Sequence, residues 1–247
     1  MTKQMKVCPV CRTNEISLFM HGIFDCEQTD VLECGSCGMQ FLSPLMTMEE
    51  ENACYHNYYD KQNSRHSQTM SIHDIQNRAM AHYLDYREVY SHLLVNRKSI
   101  LDIGCGSGAF LRFARQGDSA ISLSAIERDM ENRNFVITNL ADVSFFPNED
   151  HCPDRHFDLV VGFGVFEHLR DGNSFLCRIR RLISPGGILA LTIPNKMNPL
   201  VYIYNLPEFK KFTYMKQHYY TYTEESLHIL AKQCGYVIDR FSYMQVW

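Results

Sequence analysis

The 247-residue sequence predicts an α/β protein whose mostly parallel sheet carries helices on both faces. Two observations lead to this fold class. Short apolar, β-branched runs alternate with segments of helical periodicity after residue 98, which is the pattern of parallel strands joined by crossover helices. Three closely spaced glycines also lie between the first of these runs and the helical segment that follows it, as at the ligand-binding edge of such sheets.

The first strand is predicted at residues 100–103 and leads into a turn in which Gly104, Gly106 and Gly108 are each separated by one residue. A helical pattern begins directly afterwards, at residues 109–115. Glycine tolerates positive φ and allows a ligand to approach closely, and the N-terminus of a helix presents oriented N–H donors. The segment is therefore predicted to bring its bare backbone up to a nucleotide-like ligand.

The second strand is predicted at residues 120–126 and ends in Glu127. This carboxylate follows the glycine turn by about 20 residues, which places it to accept hydrogen bonds from ribose hydroxyls. The later pattern predicts a strand at 157–162, a helix at 173–183 and a strand at 188–193. A helix capped by Thr223 and ended by Gly235 follows, and residues 237–247 are predicted to form an antiparallel strand at the sheet edge.

Four cysteines in two C-x-x-C pairs predict a zinc site near the N-terminus. The pairs are Cys8 with Cys11 and Cys34 with Cys37, and a separation of about 20 residues between such pairs is typical of a four-thiolate zinc centre. Four thiolates close the coordination sphere, so the predicted role is structural, in a small zinc-ribbon-like module. Two redox-type motifs or chance pairs are the alternative.

Composition excludes some classes of function. Hydrophobic residues make up 45% of the chain, enough for a substantial core, and the net charge of −4 argues against a dedicated binder of polyanions such as nucleic acid. The N-terminus lacks an apolar signal core, and no apolar run is long enough to span a membrane. We therefore expect a cytoplasmic protein.

These motifs together resemble class I S-adenosylmethionine (SAM)-dependent methyltransferases, whose sheet is Rossmann-like. Residues 101–108 match the glycine motif of that family, residues 157–160 with 165–169 match its fourth strand and the segment beyond, and residues 185–187 match the turn before its fifth strand. A nicotinamide-binding domain would instead show G-x-G-x-x-G, whereas this chain has G-x-G-x-G from Gly104 to Gly108.

The resemblance implies SAM as the cofactor and assigns residues to its site. The implied cofactor contacts are Asp102, Gly104, Cys105, Gly106, Gly108, Glu127, Gly164 and Val165. The adenine contact is left open between Asp142 and Asn148, which flank a candidate third strand at residues 143–146.

The resemblance also implies a domain organisation and a class of acceptor. We expect a zinc-ribbon-like module at residues 1–45, a linker and helical lid at 46–98, and the SAM-binding domain at 99–247. A zinc module in this position is similar to that of methyltransferases acting on small molecules, sugars and surface polysaccharides. The expected acceptor is therefore a hydroxyl or amine of a small molecule, with a sugar, nucleotide sugar or surface-glycan precursor as the candidates.

Two histidines are candidate catalytic residues. His168 follows the fourth strand, and His218 lies in a segment that faces the acceptor pocket in the resembled family; each is a candidate base or substrate contact. His56, within a tyrosine cluster, is a weaker candidate. A basic segment containing Lys210, Lys211 and Lys216 is either a solvated loop or a contact for a phosphate on the acceptor.

Two alternatives stay open. The first is an RNA methyltransferase whose zinc module contacts RNA, against which residues 8–38 carry more acidic than basic side chains. The second is a SAM- or zinc-binding interaction protein without turnover. The oligomeric state is not addressed by any motif.

Overall fold

The computed structural model describes residues 6–24, 26–53, 71–196, 210–211 and 213–244. The chain divides into two compact units. The first unit comprises Met1–Lys61, Phe166–Leu176 and Ile193–Ile238, and the second comprises Gln62–Val165, Cys177–Thr192 and Asp239–Trp247. The predicted boundaries at residues 45 and 98 stay a prediction. His56 with its tyrosine neighbours, and residues 60–70 of the predicted linker, lie outside the described residues.

The strands and helices are labelled in chain order. The strands are β1 (Ile16–Met20), β2 (Asp30–Cys34), β3 (Gln40–Ser43), β4 (Ser99–Ile103), β5 (Ser122–Ile126), β6 (Val143–Phe145), β7 (Phe157–Phe163), β8 (Ile183–Thr192) and β9 (Tyr220–Thr221). The helices are α1 (Ile72–Asp85), α2 (Arg87–Leu94), α3 (Ala109–Gly117), α4 (Met130–Asn139), α5 (Gly172–Arg180) and α6 (Glu224–Gln233). Within the described ranges, no helix is both long and apolar enough to cross a membrane.

The second unit is built on a five-stranded parallel sheet with the order β6-β5-β4-β7-β8. Side chains on adjacent positions of a strand point to opposite faces. Ile100 and its neighbour Leu101 are both 0% exposed, as are Leu159 and Val160 on β7. Both faces of the central strands are therefore covered, which explains why these strands are continuous apolar runs. The predicted α/β class with a parallel sheet is confirmed.

Helix α3 begins where the glycine turn ends. Gly108 is its N-cap residue and has φ 73°, a left-handed conformation that side chains other than glycine rarely adopt. The buried face of α3, which includes Phe110 and Phe113, joins the core formed with strands β4, β5 and β7. The turn therefore fixes both the end of β4 and the start of α3.

The helical lid predicted within residues 46–98 contains two helices, α1 and α2. Helix α1 starts with a capping box, in which Ser71 and Asp74 bond to each other's main-chain N–H. It ends at Tyr86, whose φ of −105° and ψ of 31° leave the helical region. The apolar periodicity continues across this break, and Tyr83 and Tyr90 make an edge-to-face contact with ring centroids 4.7 Å apart. The apolar periodicity alone therefore could not locate the break between α1 and α2.

The first unit contains a four-stranded antiparallel sheet with the order β1-β2-β3-β9. Its last strand comes from the C-terminal part of the chain, since Phe41 on β3 pairs with Tyr220 on β9. Helix α6 then begins at the predicted cap, where Thr223 and Ser226 form a capping box. The N-terminal cysteine segment is therefore part of a larger unit that the sequence patterns did not indicate.

The antiparallel edge strand predicted at residues 237–247 is wrong for the residues described. Residues 236–244 contain no strand, and the five strands of the second unit's sheet are parallel to their neighbours. Val237, the first residue of the predicted strand, is 94% exposed. A strand requires a neighbouring strand to accept its backbone hydrogen bonds, and an apolar alternation does not by itself supply one.

We predict that Gly108→Ala destabilises the protein by about 2–4 kcal/mol, because it adds left-handed strain to a steric clash. A Cβ at residue 108 would lie 2.7 Å from Val136 Cγ2. The matched control is Gly117→Ala at the end of the same helix, where a Cβ would lie 3.7 Å from Leu94 Cδ1. Urea denaturation measures the free energy of unfolding of both variants. Equal values for the two variants would contradict the prediction.

Candidate functional site

The carboxyl ends of three neighbouring strands bring the predicted cofactor residues together. Ile103 at the end of β4 pairs with Ile126 at the end of β5, and Asp102 pairs with Val161 on β7. The glycine turn follows β4, Glu127 follows β5, and Gly164 with Val165 follow β7. Connections leave β4 in opposite directions here, and such a switch point is where open α/β sheets bind ligands.

The glycine turn is held to strand β5 by main-chain and carboxylate hydrogen bonds. The Gly104 N–H donates to the Ile126 carbonyl at 2.7 Å, and the Gly106 N–H donates to Glu127 Oε2 at 2.7 Å. Glu127 Oε1 accepts from the Asp129 N–H at 2.8 Å. Each carboxylate oxygen keeps a second lone pair. Glu127 can therefore brace the turn and still accept hydrogen bonds from a ligand.

Two glycines of the site present bare backbone to open space. Gly106 and Gly164 have φ of 51° and 68°, and a Cβ built on either would meet no atom within 4 Å. Gly104 differs, because its Cβ would lie 2.6 Å from Val165 Cγ2. A cradle lined by backbone at two points, with a carboxylate beside it, fits the methionine and ribose portions of SAM.

Asp102 lies on β4, two residues before the glycine turn begins, and is 3% exposed. Burial raises its pKa to about 8, and the nearby Glu127 carboxylate adds to the shift because two negative charges repel. The neighbouring Cys105 thiol also has a raised pKa, first from burial and then from Asp102. Asp102 therefore has an environment that favours the neutral acid unless a positive group binds nearby, and the amino group of SAM is such a group.

Gln76 on helix α1 supports the turn and was missed by the sequence analysis. Its side-chain amide donates to the Ser107 carbonyl at 2.8 Å, and its oxygen accepts from Arg112 Nη1 at 2.9 Å. The residue is 3% exposed. The available signal was its helical spacing, since Met80 and Tyr83 lie four and seven residues later on the same buried face.

The two candidate adenine contacts lie on either side of β6. Asp142 precedes β6, is exposed and has φ 60°. Asn148 caps a short 3₁₀ helix, and its side-chain oxygen accepts from the Asp150 N–H at 3.1 Å.

The four cysteines predicted to bind zinc lie together in the first unit. Their Sγ atoms are all within 4.8 Å of one another, with Cys8 to Cys37 at 3.6 Å and Cys11 to Cys34 at 3.4 Å. Sulfur atoms around a tetrahedral zinc lie about 3.8 Å apart for Zn–S bonds of about 2.3 Å. The donor set and its spacing therefore fit a closed zinc centre.

The cysteine cluster is joined to helix α6. Thr223 Oγ1 donates to the Cys37 carbonyl at 2.6 Å, and Gln233 Nε2 donates to the Val10 carbonyl at 3.1 Å. These two bonds lie at opposite ends of α6, so the helix spans the two cysteine-bearing turns. The cluster thus connects the N-terminal and C-terminal parts of the first unit.

The two predicted catalytic histidines are neighbours in the first unit. The His168 and His218 rings have centroids 4.8 Å apart and meet edge to face at 79°. Burial lowers the pKa of both, that of His218 to about 4, and the proximity of His168 lowers the His218 value further. Glu167 is also buried, and burial raises its pKa to about 7. A catalytic role for either histidine stays a prediction.

Comparison with known proteins agrees with this architecture. A parallel sheet with its ligand edge at a glycine turn is the arrangement of class I SAM-dependent methyltransferases, so the resemblance seen in the sequence is confirmed. A family model described as a methyltransferase domain matches residues 73–240, more than half of the chain. The chain therefore belongs to this methyltransferase family.

Several curated relatives are named as O-methyltransferases. A ubiquinone biosynthesis O-methyltransferase of Bradyrhizobium sp. (strain ORS 278) is 30% identical over 105 residues, which are 39% of this chain and 40% of that protein. The corresponding protein of Pseudomonas paraeruginosa (strain DSM 24068 / PA7) is 26% identical, over 62% of this chain and 63% of its own length. A probable chloroplastic tocopherol O-methyltransferase of Oryza sativa subsp. japonica is 30% identical, over 53% of this chain and 38% of its own length. The chain thus spans less than two thirds of each of these relatives.

Among solved structures, the plantazolicin methyltransferase BpumL in complex with a monoazolic desmethylPZN analog and SAH has a TM-score of 0.53 to this chain. It is 16% identical in sequence, and the match covers 74% of this chain and 76% of that one. At this identity the likeness supports the fold alone.

We predict that Asp102 makes the SAM-free protein less stable as the pH rises from about 4 to 8. The folded state keeps the Asp102 proton up to a pKa of about 8, whereas the unfolded state loses it near 4. The folded state therefore binds one more proton across this range, which lowers the free energy of unfolding by at most about 1.4 kcal/mol per pH unit. Urea denaturation at several pH values should show that the free energy of unfolding declines less steeply with pH in Asp102→Asn than in wild type.

The matched control is Asp239→Asn, which removes an exposed carboxylate of the same type. It should leave the pH dependence of the wild-type protein unchanged. Parallel pH profiles of Asp102→Asn and wild type would contradict the prediction.

Proposed function

We propose that this protein transfers the methyl group of SAM to a hydroxyl oxygen of a small molecule. Membership of the methyltransferase family, with the glycine turn and Glu127 at the carboxyl end of the parallel sheet, carries this proposal. SAM supplies the electrophilic methyl group when bound. The acceptor oxygen attacks the methyl carbon, the carbon–sulfur bond breaks, S-adenosylhomocysteine leaves, and the hydroxyl proton passes to a base.

The second unit supplies the residues proposed to hold SAM. Glu127 accepts hydrogen bonds from the ribose hydroxyls through its remaining lone pairs. The bare backbone at Gly106 and Gly164 allows SAM to approach closely. Asp102 pairs with the methionine amino group, which would stabilise its ionised form. The full proposed set is Asp102, Gly104, Cys105, Gly106, Gly108, Glu127, Gly164 and Val165.

His168 and His218, the two predicted catalytic residues, are proposed to act on the acceptor. His168 and His218 have lowered pKa values because they are buried, so both imidazoles are neutral at pH 7. A neutral imidazole has a lone pair that can accept the hydroxyl proton. Their edge-to-face contact places two such nitrogen-bearing rings side by side.

Oxygen is proposed as the methylated atom because the curated relatives are named O-methyltransferases of ubiquinone and tocopherol biosynthesis. A sugar-linked acceptor is the finer proposal from the sequence, and it competes with a phenolic one. The basic segment gives no support to a phosphate-bearing acceptor, because Lys211 bonds to Glu27 at 2.9 Å and Lys216 lies 3.5 Å from Glu50.

We also propose that Cys8, Cys11, Cys34 and Cys37 hold a structural zinc ion. The sulfur spacing and the burial of three of the four side chains support a closed site without an open coordination position. The ion would fix the two cysteine turns on which helix α6 lies.

The function is tested by incubating the purified protein and methyl-labelled SAM with an extract of the source organism. The extract is then separated into small-molecule, RNA and protein fractions. We expect label in a small-molecule product and, after its isolation, on an oxygen atom. Sugar and phenolic products are distinguished by mass spectrometry, and label confined to RNA or protein would overturn the proposal.

Glu127→Ala should weaken SAM binding by about 10- to 100-fold, because each hydrogen bond to a charged group contributes about 1.5–3 kcal/mol. Calorimetry measures the affinity, and label transfer at a subsaturating SAM concentration should fall in parallel. The control is Glu131→Ala, an exposed carboxylate in the first turn of α4. Unchanged affinity in Glu127→Ala would contradict the ribose assignment without touching the acceptor proposal.

Elemental analysis should find one zinc ion per chain, and Cys8→Ser should lose most of it, since a thiolate ligand is replaced by a weak hydroxyl ligand. Cys177→Ser is the matched control, because Cys177 is exposed on α5 and outside the cluster. Equal zinc content in the two variants would refute the site.

A further inference from the structure

We propose that Glu167, His168 and His218 form a second metal site, which binds a divalent transition-metal cation. Each of the three side chains offers one ligand atom, and these atoms all lie within 4.8 Å of one another. The cluster is separate in composition from the four cysteines, since it contains imidazole nitrogens and a carboxylate oxygen and no sulfur. This assignment competes with the proposed role of the two histidines as bases, because a nitrogen that binds a cation cannot also accept a proton. Cation binding needs neither SAM nor acceptor, so its test does not depend on methyl transfer.

Two polar atoms of the cluster are buried without a hydrogen-bond partner. They are Glu167 Oε2 and His168 Nδ1, and they are the two such side-chain atoms identified in the described part of the chain. Glu167 is 5% exposed. Buried polar atoms are almost always paired, so an orphaned carboxylate oxygen and an orphaned imidazole nitrogen in one cluster indicate a missing partner. A cation that accepts both lone pairs is such a partner.

The backbone fixes the three side chains against each other. Glu167 and His168 lie on the 3₁₀ helix Phe166–His168, and the Tyr219 N–H donates to the Glu167 carbonyl at 2.9 Å. This bond holds the residue next to His218 against the helix. The segment is anchored further along by Tyr220, whose hydroxyl donates to the Arg170 carbonyl at 2.8 Å.

One nitrogen of the His168 ring has no hydrogen-bond partner, whereas the ring does bond to the main chain. The His168 ring has a hydrogen bond with the main chain of Gln217. Nδ1 is the nitrogen without a partner. Metal-binding histidines usually bond to a backbone carbonyl or carboxylate through one ring nitrogen and to the metal through the other.

The donor set selects the class of cation. Two imidazoles and one carboxylate suit zinc and the divalent cations of manganese, iron, cobalt and nickel, whereas magnesium and calcium prefer oxygen ligands. Three protein ligands leave positions open, at which a bound water or hydroxyl would lose its proton more readily.

The test uses Co²⁺ as the probe, added without SAM to full-length protein that has been loaded with one zinc ion per chain and no more. Equilibrium dialysis with elemental analysis counts bound cobalt, and absorption spectroscopy identifies its ligands. We expect one cobalt ion per chain in addition to the resident zinc, with a spectrum that lacks the intense thiolate-to-cobalt charge-transfer band. His218→Ala should weaken cobalt binding by at least about tenfold, the usual scale for perturbing a metal site.

A second variant protects the test against misfolding. Glu167→Gln keeps the shape of the side chain and removes its charge, so it should fold as wild type by circular dichroism and also lose cobalt affinity. His92→Ala, which removes an exposed histidine on α2, is the matched control and should bind as wild type. The proposal is overturned if zinc-loaded wild type takes up no cobalt, if the cobalt shows thiolate ligation, or if Glu167→Gln binds it unchanged.

Discussion

The hydrogen bond from the Gly106 N–H to Glu127 is the contact on which the candidate cofactor site depends. It joins the turn after β4 to the end of β5, two strands already set side by side by their parallel register. With the main-chain bond from Gly104 to Ile126, it fixes the turn in a conformation that only glycine adopts easily. The start of α3, the exposed backbone of Gly106 and the orientation of the Glu127 carboxylate all follow from it.

Desolvated ionisable groups mark both proposed ligand sites. In the second unit Asp102 is buried, with a raised pKa caused by burial and by Glu127. In the first unit burial raises the pKa of Glu167 and lowers those of His168 and His218. Such groups cost stability unless a partner compensates for the lost water, and perturbed pKa values cluster at functional sites for this reason. The proposed partners differ: a sulfonium cofactor with an amino group in one case, and a metal cation in the other.

Local sequence predicted most of the second unit, because its elements are set by local chemistry. The apolar run ending at Ile103 and the glycines after it specify a strand end and a turn through nearby residues, as the Thr223 cap specifies the start of α6 in the first unit. The errors arose where a distant partner decides the outcome. The apolar residues after Gly235 did not form a strand, since backbone pairing requires a neighbouring edge, and the break at Tyr86 is hidden in a continuous apolar periodicity.

The sequence by itself determined the methyltransferase class, the glycine turn with Glu127 and the four-cysteine cluster, because each is specified by residue type and spacing along a short segment. Tertiary structure alone decided that β9 completes the N-terminal sheet and that Gln76 braces the glycine turn. It also brought His218 beside His168 and Glu167, about 50 residues earlier in the chain, a separation that carries no local signal. Contacts between distant segments depend on packing and backbone pairing across the whole fold, and spacing in the sequence does not encode them.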